Sequence, residues 1–364
     1  MPITTPTSPS SADAPSSRAS SGASRSPEPQ GSRAPGSRSL AAIGGGSGLA
    51  VLLRGLKAHA ESPDRLTAVV TVADDGGSSG RLRRELGVLP PGDIRSCLVA
   101  LADDEDLLAR LFSYRFRGPA DGTGNGEGVS GHSFGNLFLT ALSDITGDFY
   151  QAILTAESIL SVRGRILPAT LTDVRLRGVG RSGRVYLGES AVGRSGERLA
   201  HLDLEPAQAS AFPPAVEALE RADLVLLGPG SLYTSVIPNL LIPGIRDALR
   251  RGPAPVVLVL NLMTQPGETD HMSALDHLAA IEEHAGRGLV DAVLVSSAPL
   301  PAAALRLYAE AGSEKVEVDR AAIEARGVEV IEKDLLAGGE LIRHDPVRLG
   351  RAVLEIAART PCPR

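Results

Sequence analysis

Again and again along this chain a short apolar run stops in a polar loop. Residues 39–43 lead into IGGGSG at 43–48, and LTAVVTV at 66–72 leads into ADDGGSSG. ADLVLL at 222–227 leads into GPGS. An apolar run, a glycine-bearing loop and then a 3.6-period segment read as strand, loop and helix, and repetition of that unit is α/β. APVVLVLNL (254–262) and DAVLVSS (291–297) read as further core strands. The periodicity predicts helices over about 48–60, 93–115 (in one or two pieces), 212–221, 272–285, 301–311 and 347–358. Residues 133–162 read as two helices parted near Gly147. Short alternating runs bounded by glycines over 165–204 predict a small antiparallel insertion or edge region.

The 364 residues, 43% of them hydrophobic, suffice for one large domain. Residues 1–38 form a Ser/Pro/Ala/Gly/Arg tail with no apolar run. It is no secretory signal, cannot build a core and is expected to be disordered. The expected domain spans 39–358, with 165–204 inserted in it. A formal net charge of −6 argues against a general nucleic-acid surface. The only lysines are Lys57, Lys315 and Lys333, so side-chain contacts to phosphate fall to arginine. The only cysteines, Cys97 and Cys362, are too few for a disulfide framework and fit a reducing compartment. No stretch of 18 uninterrupted apolar residues predicts a transmembrane helix.

The loops carry the chemistry. IGGGSG fails the G-x-G-x-x-G fingerprint, because Leu49 stands where a glycine belongs, and it has no Walker lysine. What survives is a tight glycine turn at Gly45, Gly46 and Ser47 whose following helix offers free N–H groups to an anion. TVADDGGSSGRLR (71–83) follows the second strand. Asp74 or Asp75 is a candidate ligand for a divalent cation such as Mg2+, or an acceptor for sugar hydroxyls. Gly76, Ser78 and Ser79 suit a phosphate cradle, and Arg81 suits its charge. An Asp-Gly turn capping a helix explains one aspartate but not the whole string. In PPGDIRSC (90–97), Asp93 reads as a helix cap and Arg95 as a contact for an anion or a loop carboxylate, while Cys97 reads as core.

GHSFGNL (131–137) offers His132, and Ser133 with Asn136 on one helix face. GPGSLYTSVIPNLL (228–241) offers Gly228, Gly230 and Ser231 for an anion loop, hydroxyls from Tyr233 and Thr234, and the Asn239 amide. It is not the G-x-S-x-G elbow. NLMTQPGETD (261–270) gathers Asn261, Thr264 and Gln265 at a strand end. His271, His277 and His284 lack the H-E-x-x-H pattern, so no zinc site is expected.

Taken together and in order, these strings resemble the gluconeogenesis factor (YvcK-like) family. Its superfamily includes 2-phospho-L-lactate transferase. The resemblance runs from about Ser39 to Leu354. It implies a Rossmann-like, mostly parallel sheet flanked by helices in a cytoplasmic bacterial protein. It also implies a bound UDP-sugar, particularly UDP-N-acetylglucosamine, and ties to gluconeogenic growth, cell shape and peptidoglycan precursor supply. By likeness to UDP-sugar binders, Tyr308 in LRLYAEAGS stacks on uracil and Arg343 in IRHDP contacts the nucleotide. Three readings follow. The chain senses a UDP-sugar for an unidentified regulatory protein partner, or is a metal-dependent phosphoryl or nucleotidyl transferase, or is a structural morphogenesis protein. No residue stands out as a committed nucleophile. A homodimer is the expected oligomer, since two-fold dimers are commonest.

Overall fold

The structure, a computed structural model, describes residues 38–59, 65–103, 105–117 and 128–359. The tail up to 37, most of the 121–130 loop and Cys362 lie outside the described residues. Among the described residues ten strands form two sheets: β1 (Leu40–Gly44), β2 (Leu66–Val70), β3 (Arg165–Pro168), β4 (Arg175–Gly180), β5 (Val185–Leu187), β6 (Leu199–Glu205), β7 (Leu224–Leu227), β8 (Val256–Val259), β9 (Ala292–Ser296) and β10 (Glu329–Lys333).

The large sheet has the order β10-β9-β8-β7-β1-β2-β3, and every neighbouring pair is parallel. Residues of β1, β2, β7 and β8 are buried throughout, which is why those segments read as unbroken apolar runs. The chain walks outward from β1 through β2 to β3, then returns to β7 and walks the other way to β10. Strand order thus reverses between β1 and β7, where an open α/β sheet forms a ligand crevice beyond its carboxyl ends.

Helix Gly46–His59 follows β1 and packs on helix Pro346–Arg359. A Cβ on Gly55 would lie 1.9 Å from the Pro346 carbonyl oxygen, so the two backbones touch where no side chain fits. The predicted 93–115 segment is two helices, Gly92–Leu101 and Glu105–Ser113. Residues 133–162 divide at Gly147, whose φ of 71° ends helix Phe134–Thr146, and Asp148 caps helix Phe149–Ile159.

Three features depart from the sequence reading. Helix Gly77–Leu86 begins inside the Asp/Gly loop, where a glycine- and serine-rich first turn hides the helical period. The edge strand β10 has only one fully buried position, Val330, so it lacks a core strand's signature. The antiparallel sheet, of order β5-β4-β6, spans Arg175–Glu205. Arg165–Pro168 instead joins the parallel sheet beside β2, at an edge that tolerates Pro168. No helix among the described residues is long and apolar enough to cross a membrane.

Candidate functional site

A cavity of about 560 Å³ opens at the carboxyl ends of β1, β7 and β8. The loop after β1 contributes Gly45, Gly46 and Ser47, and the loop after β7 contributes Gly230 and Ser231. Asn261, Thr264 and Gln265 come from the segment after β8. Tyr308, from helix Ala302–Glu310, and Arg343, from beyond β10, close the far side. Ten residues proposed from separate motifs therefore line one space, at the reversal of strand order.

Local bonds hold these loops. The Asn261 side chain pairs with the Gly230 backbone as another strand would: it accepts from the N–H at 3.2 Å and donates to the carbonyl at 2.7 Å. Gln265 Nε2 donates to Ser231 Oγ at 2.8 Å. Thr264 is clamped to the 313–314 turn, with its N–H on the Glu314 carbonyl and its carbonyl accepting from Ser313 Oγ at 2.6 Å. Tyr308 packs with Met263, Ala304 and Ile342, and its hydroxyl donates to the Ile342 carbonyl at 3.3 Å. A Cβ on Gly48 would lie 2.5 Å from the Pro229 carbonyl oxygen, so glycine is what lets the loops after β1 and β7 meet. Helix Gly46–His59 carries no acidic residue in its own first turn, and Gly46, Ser47 and Gly48 at its N-terminal end line the cavity.

The motifs around 71–83 and 131–137 form a different structure. Ser78, Ser79, His132, Ser133 and Asn136 are all buried. Ser78 Oγ and His132 Nδ1 lie 2.9 Å apart. Asn136 Nδ2 donates to Ser78 Oγ at 3.1 Å and to Ser79 Oγ at 3.2 Å, while Ser133 Oγ accepts the Asn136 N–H as helix cap. This network knits helix Gly77–Leu86 to helix Phe134–Thr146. Burial and nearby Arg81 lower the His132 pKa, so the ring is neutral. Arg81 donates to the Ser130 carbonyl. Arg95 lies against Gly135, its pKa lowered by burial and by Arg115.

Carboxylates crowd between these two regions. Asp74 Oδ1 accepts from the Gly76 N–H and Asp75 Oδ1 from the Ser190 N–H, each at 2.8 Å. Half-buried Asp93 accepts from the Gly46 N–H behind the glycine loop. Burial, aided by Asp74, pushes its pKa to about 7. Glu189 reaches over from the antiparallel insertion, and burial with Asp74 and Asp93 raises it to about 8. Among the described residues no group of three or more His, Cys, Asp or Glu side chains is placed to hold a metal ion.

Tyr233, Thr234 and Asn239 sit behind the cavity wall. The N–H groups of Tyr233 and Thr234 donate to Glu268 Oε1 at 2.8 and 3.2 Å. Burial pushes Glu268 to about 7 and the Tyr233 phenol to about 12. Asn239 Nδ2 donates to the Ser235 carbonyl at 2.7 Å. Gly228, with φ of 72°, makes the turn out of β7. Sequence reasoning passes over Glu189 and His344, and reads Glu268 only as one of the polar residues clustered after the strand. His344 stands next to Arg343 in the IRHDP string, whereas Glu189 had no local signal.

The parallel sheet, its strand reversal and this cavity define a Rossmann-like protein with a cavity at the switch point. The chain matches the family model described as 2-phospho-L-lactate transferase CofD over residues 40–336. It is 49% identical over 319 residues to a putative gluconeogenesis factor of Nostoc sp., covering 87% of this chain and 68% of that one. It is 43% identical to the gluconeogenesis factor of Bacillus subtilis, covering 87% and 97%. A crystal structure of a Bacillus halodurans protein superposes with a TM-score of 0.81 at 44% identity, covering 87% and 99%. The chain belongs to the gluconeogenesis factor family, within the CofD-related superfamily.

Proposed function

We propose that this protein is a cytoplasmic regulator whose cavity binds a UDP-sugar of the UDP-N-acetylglucosamine kind, and that a protein partner reads the bound state. The observation that carries this reading is the convergence of the two glycine loops, Tyr308 and Arg343 on one cavity. The loop backbones and the helix Gly46–His59 N-terminus suit a diphosphate. The Tyr308 ring suits a base, and Arg343 supplies positive charge beside it. The names of the relatives support a role in gluconeogenic growth, and the proposal extends to regulation of cell shape and peptidoglycan precursor supply.

The test is calorimetric titration with UDP-N-acetylglucosamine, with and without magnesium, and a product assay on the same samples. Saturable binding without turnover is the expected result. Turnover would replace the regulator with a transferase, and absence of binding would remove the nucleotide-sugar from the site.

A further inference from the structure

The wall between the two glycine loops carries a hydroxyl that the fold does not use. Ser235 lines the cavity and is only 7% exposed. Its carbonyl accepts from Asn239 and its N–H donates to Ser231, but its Oγ makes no hydrogen bond among the described residues. Asn136 Oδ1 and Asn239 Oδ1 are unpaired and sealed from solvent, whereas Ser235 Oγ keeps open surface. It points at the loop after β1. The oxygen lies 3.9 Å from where a Cβ on Gly46 would stand, and outside that glycine's own turn no other atom comes within 4 Å. On the other side, Ser235 Cβ lies 3.6 Å from the corresponding position on Gly230. The hydroxyl therefore stands in open space where the loops after β1 and β7 approach each other.

The chain around it is held on both sides. Leu232–Val236 is a single turn of π-helix, in which the Val236 N–H donates to the Ser231 carbonyl at 3.0 Å. Such turns are rare and recur at functional sites. Glu268 takes the N–H groups of Tyr233 and Thr234 at its start. Asn239 Nδ2 donates to the Ser235 carbonyl at 2.7 Å and to the Gly44 carbonyl at 3.4 Å, which ties Ser235 to the end of β1. A nearly buried hydroxyl without a partner costs stability, so its place on a clamped turn points to a partner in the ligand.

The neighbours decide what that partner is. The Gly46 N–H is spent on Asp93. The next donors, the N–H groups of Ser47 and Gly48, belong to a first helical turn with no acceptor in its own helix, and both residues line the cavity. Donors at a helix N-terminus suit an anion. A phosphate oxygen accepts, and a serine hydroxyl rotates to donate to it. We infer that Ser235 is a phosphate-binding residue of this site: its hydroxyl donates to the diphosphate held at the first turn of helix Gly46–His59. This rests on the nucleotide-sugar reading above. It adds a side-chain donor from beyond the loop after β7, so that the anion is gripped from both sides of the switch point.

The experiment titrates the full chain and Ser235→Ala with UDP by calorimetry, measures uridine by competition, and unfolds both ligand-free proteins in urea. Ser235→Ala removes one oxygen and keeps a good helix former in its place. It should bind UDP about ten-fold more weakly, the loss expected for one hydrogen bond to a charged group. Uridine, which has no phosphate, should bind both proteins within about two-fold of each other. The variant should be at least as stable as the unaltered protein, because the hydroxyl has no partner in the fold. A merely structural serine would lose stability instead. Equal affinity for UDP overturns the inference. So does an equal weakening of UDP and uridine, which would place the hydroxyl away from the phosphates, and so does a loss of stability, which would give it a partner inside the protein. If the unaltered protein binds no uridine nucleotide, the nucleotide-sugar reading falls and takes this inference with it.

Discussion

The loops after β1, β7 and β8 and the strings at 77–80 and 132–136 are written in the same alphabet of glycine, serine and asparagine. In the first region the side chains and loop backbones ring a cavity. In the second, five polar side chains are buried and bond to one another, with Asn136 Oδ1 alone of the network's amide atoms left without a partner. The difference lies in what each strand end faces. Loops at the switch point meet empty space between diverging connections, whereas the loop after β2 runs straight into a helix that must dock on another helix. A motif that looks ligand-binding can thus be a polar joint, and burial with internal pairing tells the two apart.

The largest expected effect breaks the joint. Asn136→Leu removes the donor shared by Ser78 and Ser79 and leaves their buried hydroxyls short of a partner. It should cost about 3 kcal/mol in urea unfolding, while nucleotide-sugar affinity of the folded protein stays within about two-fold. If affinity collapsed at unchanged stability, the joint would be a contact surface and the contrast would fail. Tyr308→Ala is the converse. The ring is only half-buried, and stacking on a base is worth about 1–3 kcal/mol, so affinity should drop roughly 5- to 150-fold. A folded variant that binds as before would take Tyr308 out of the site.

The sequence showed the core strands clearly, because each is buried on both faces and reads as an unbroken apolar run. It also showed the loops that follow them, since tight turns and close approaches such as Gly48 on Pro229 demand glycine. It could not show which loops share a space. Tyr308 and Arg343 enter the cavity from segments far along the chain, and their likeness to UDP-sugar binders marked them where their periodicity did not. Glu189 was invisible for a related reason. It belongs to an insertion whose local pattern describes only its own small sheet, and only tertiary contact brings it to Asp74 and Asp93. Helix Gly77–Leu86 was hidden by weak helix formers in its first turn, where the Asn136 bonds supply the stabilisation that propensity does not.

The carboxylates between the two regions give a pH signature. Glu189, Asp93 and Glu268 have folded pKa values of about 8, 7 and 7, all above their ordinary values. Asp74 and Asp75 also face Glu189. The folded state therefore holds protons that the unfolded chain has released. The stability these groups contribute is fully present below about pH 4 and is lost as pH rises through about 7 to 8. Glu189→Gln should flatten that slope and stabilise the protein at pH 8 by about 1–2 kcal/mol, discounted for partial solvent screening. Thermal unfolding across pH 5 to 8 reads it, and an unchanged slope would mean that Glu189 carries no excess proton.

The smallest expected effect is at Asp75, which with Asp74 is one of two candidate metal ligands in the sequence. Its Oδ1 accepts the Ser190 N–H, and a Cβ on Gly188 would lie 1.8 Å from its Oδ2, so the carboxylate is packed against the start of helix Glu189–Val192. Asp75→Asn keeps one acceptor oxygen and loses the charge that favours a helix N-terminus, a change of about 0.5–1 kcal/mol. It should leave nucleotide-sugar affinity, and any response of that affinity to magnesium, as they are in the unaltered protein. Loss of a magnesium response in this variant alone would place an ion at Asp75. It would also make the region after β2 part of the ligand site, because magnesium is commonly held by one or two carboxylates together with a ligand's phosphates.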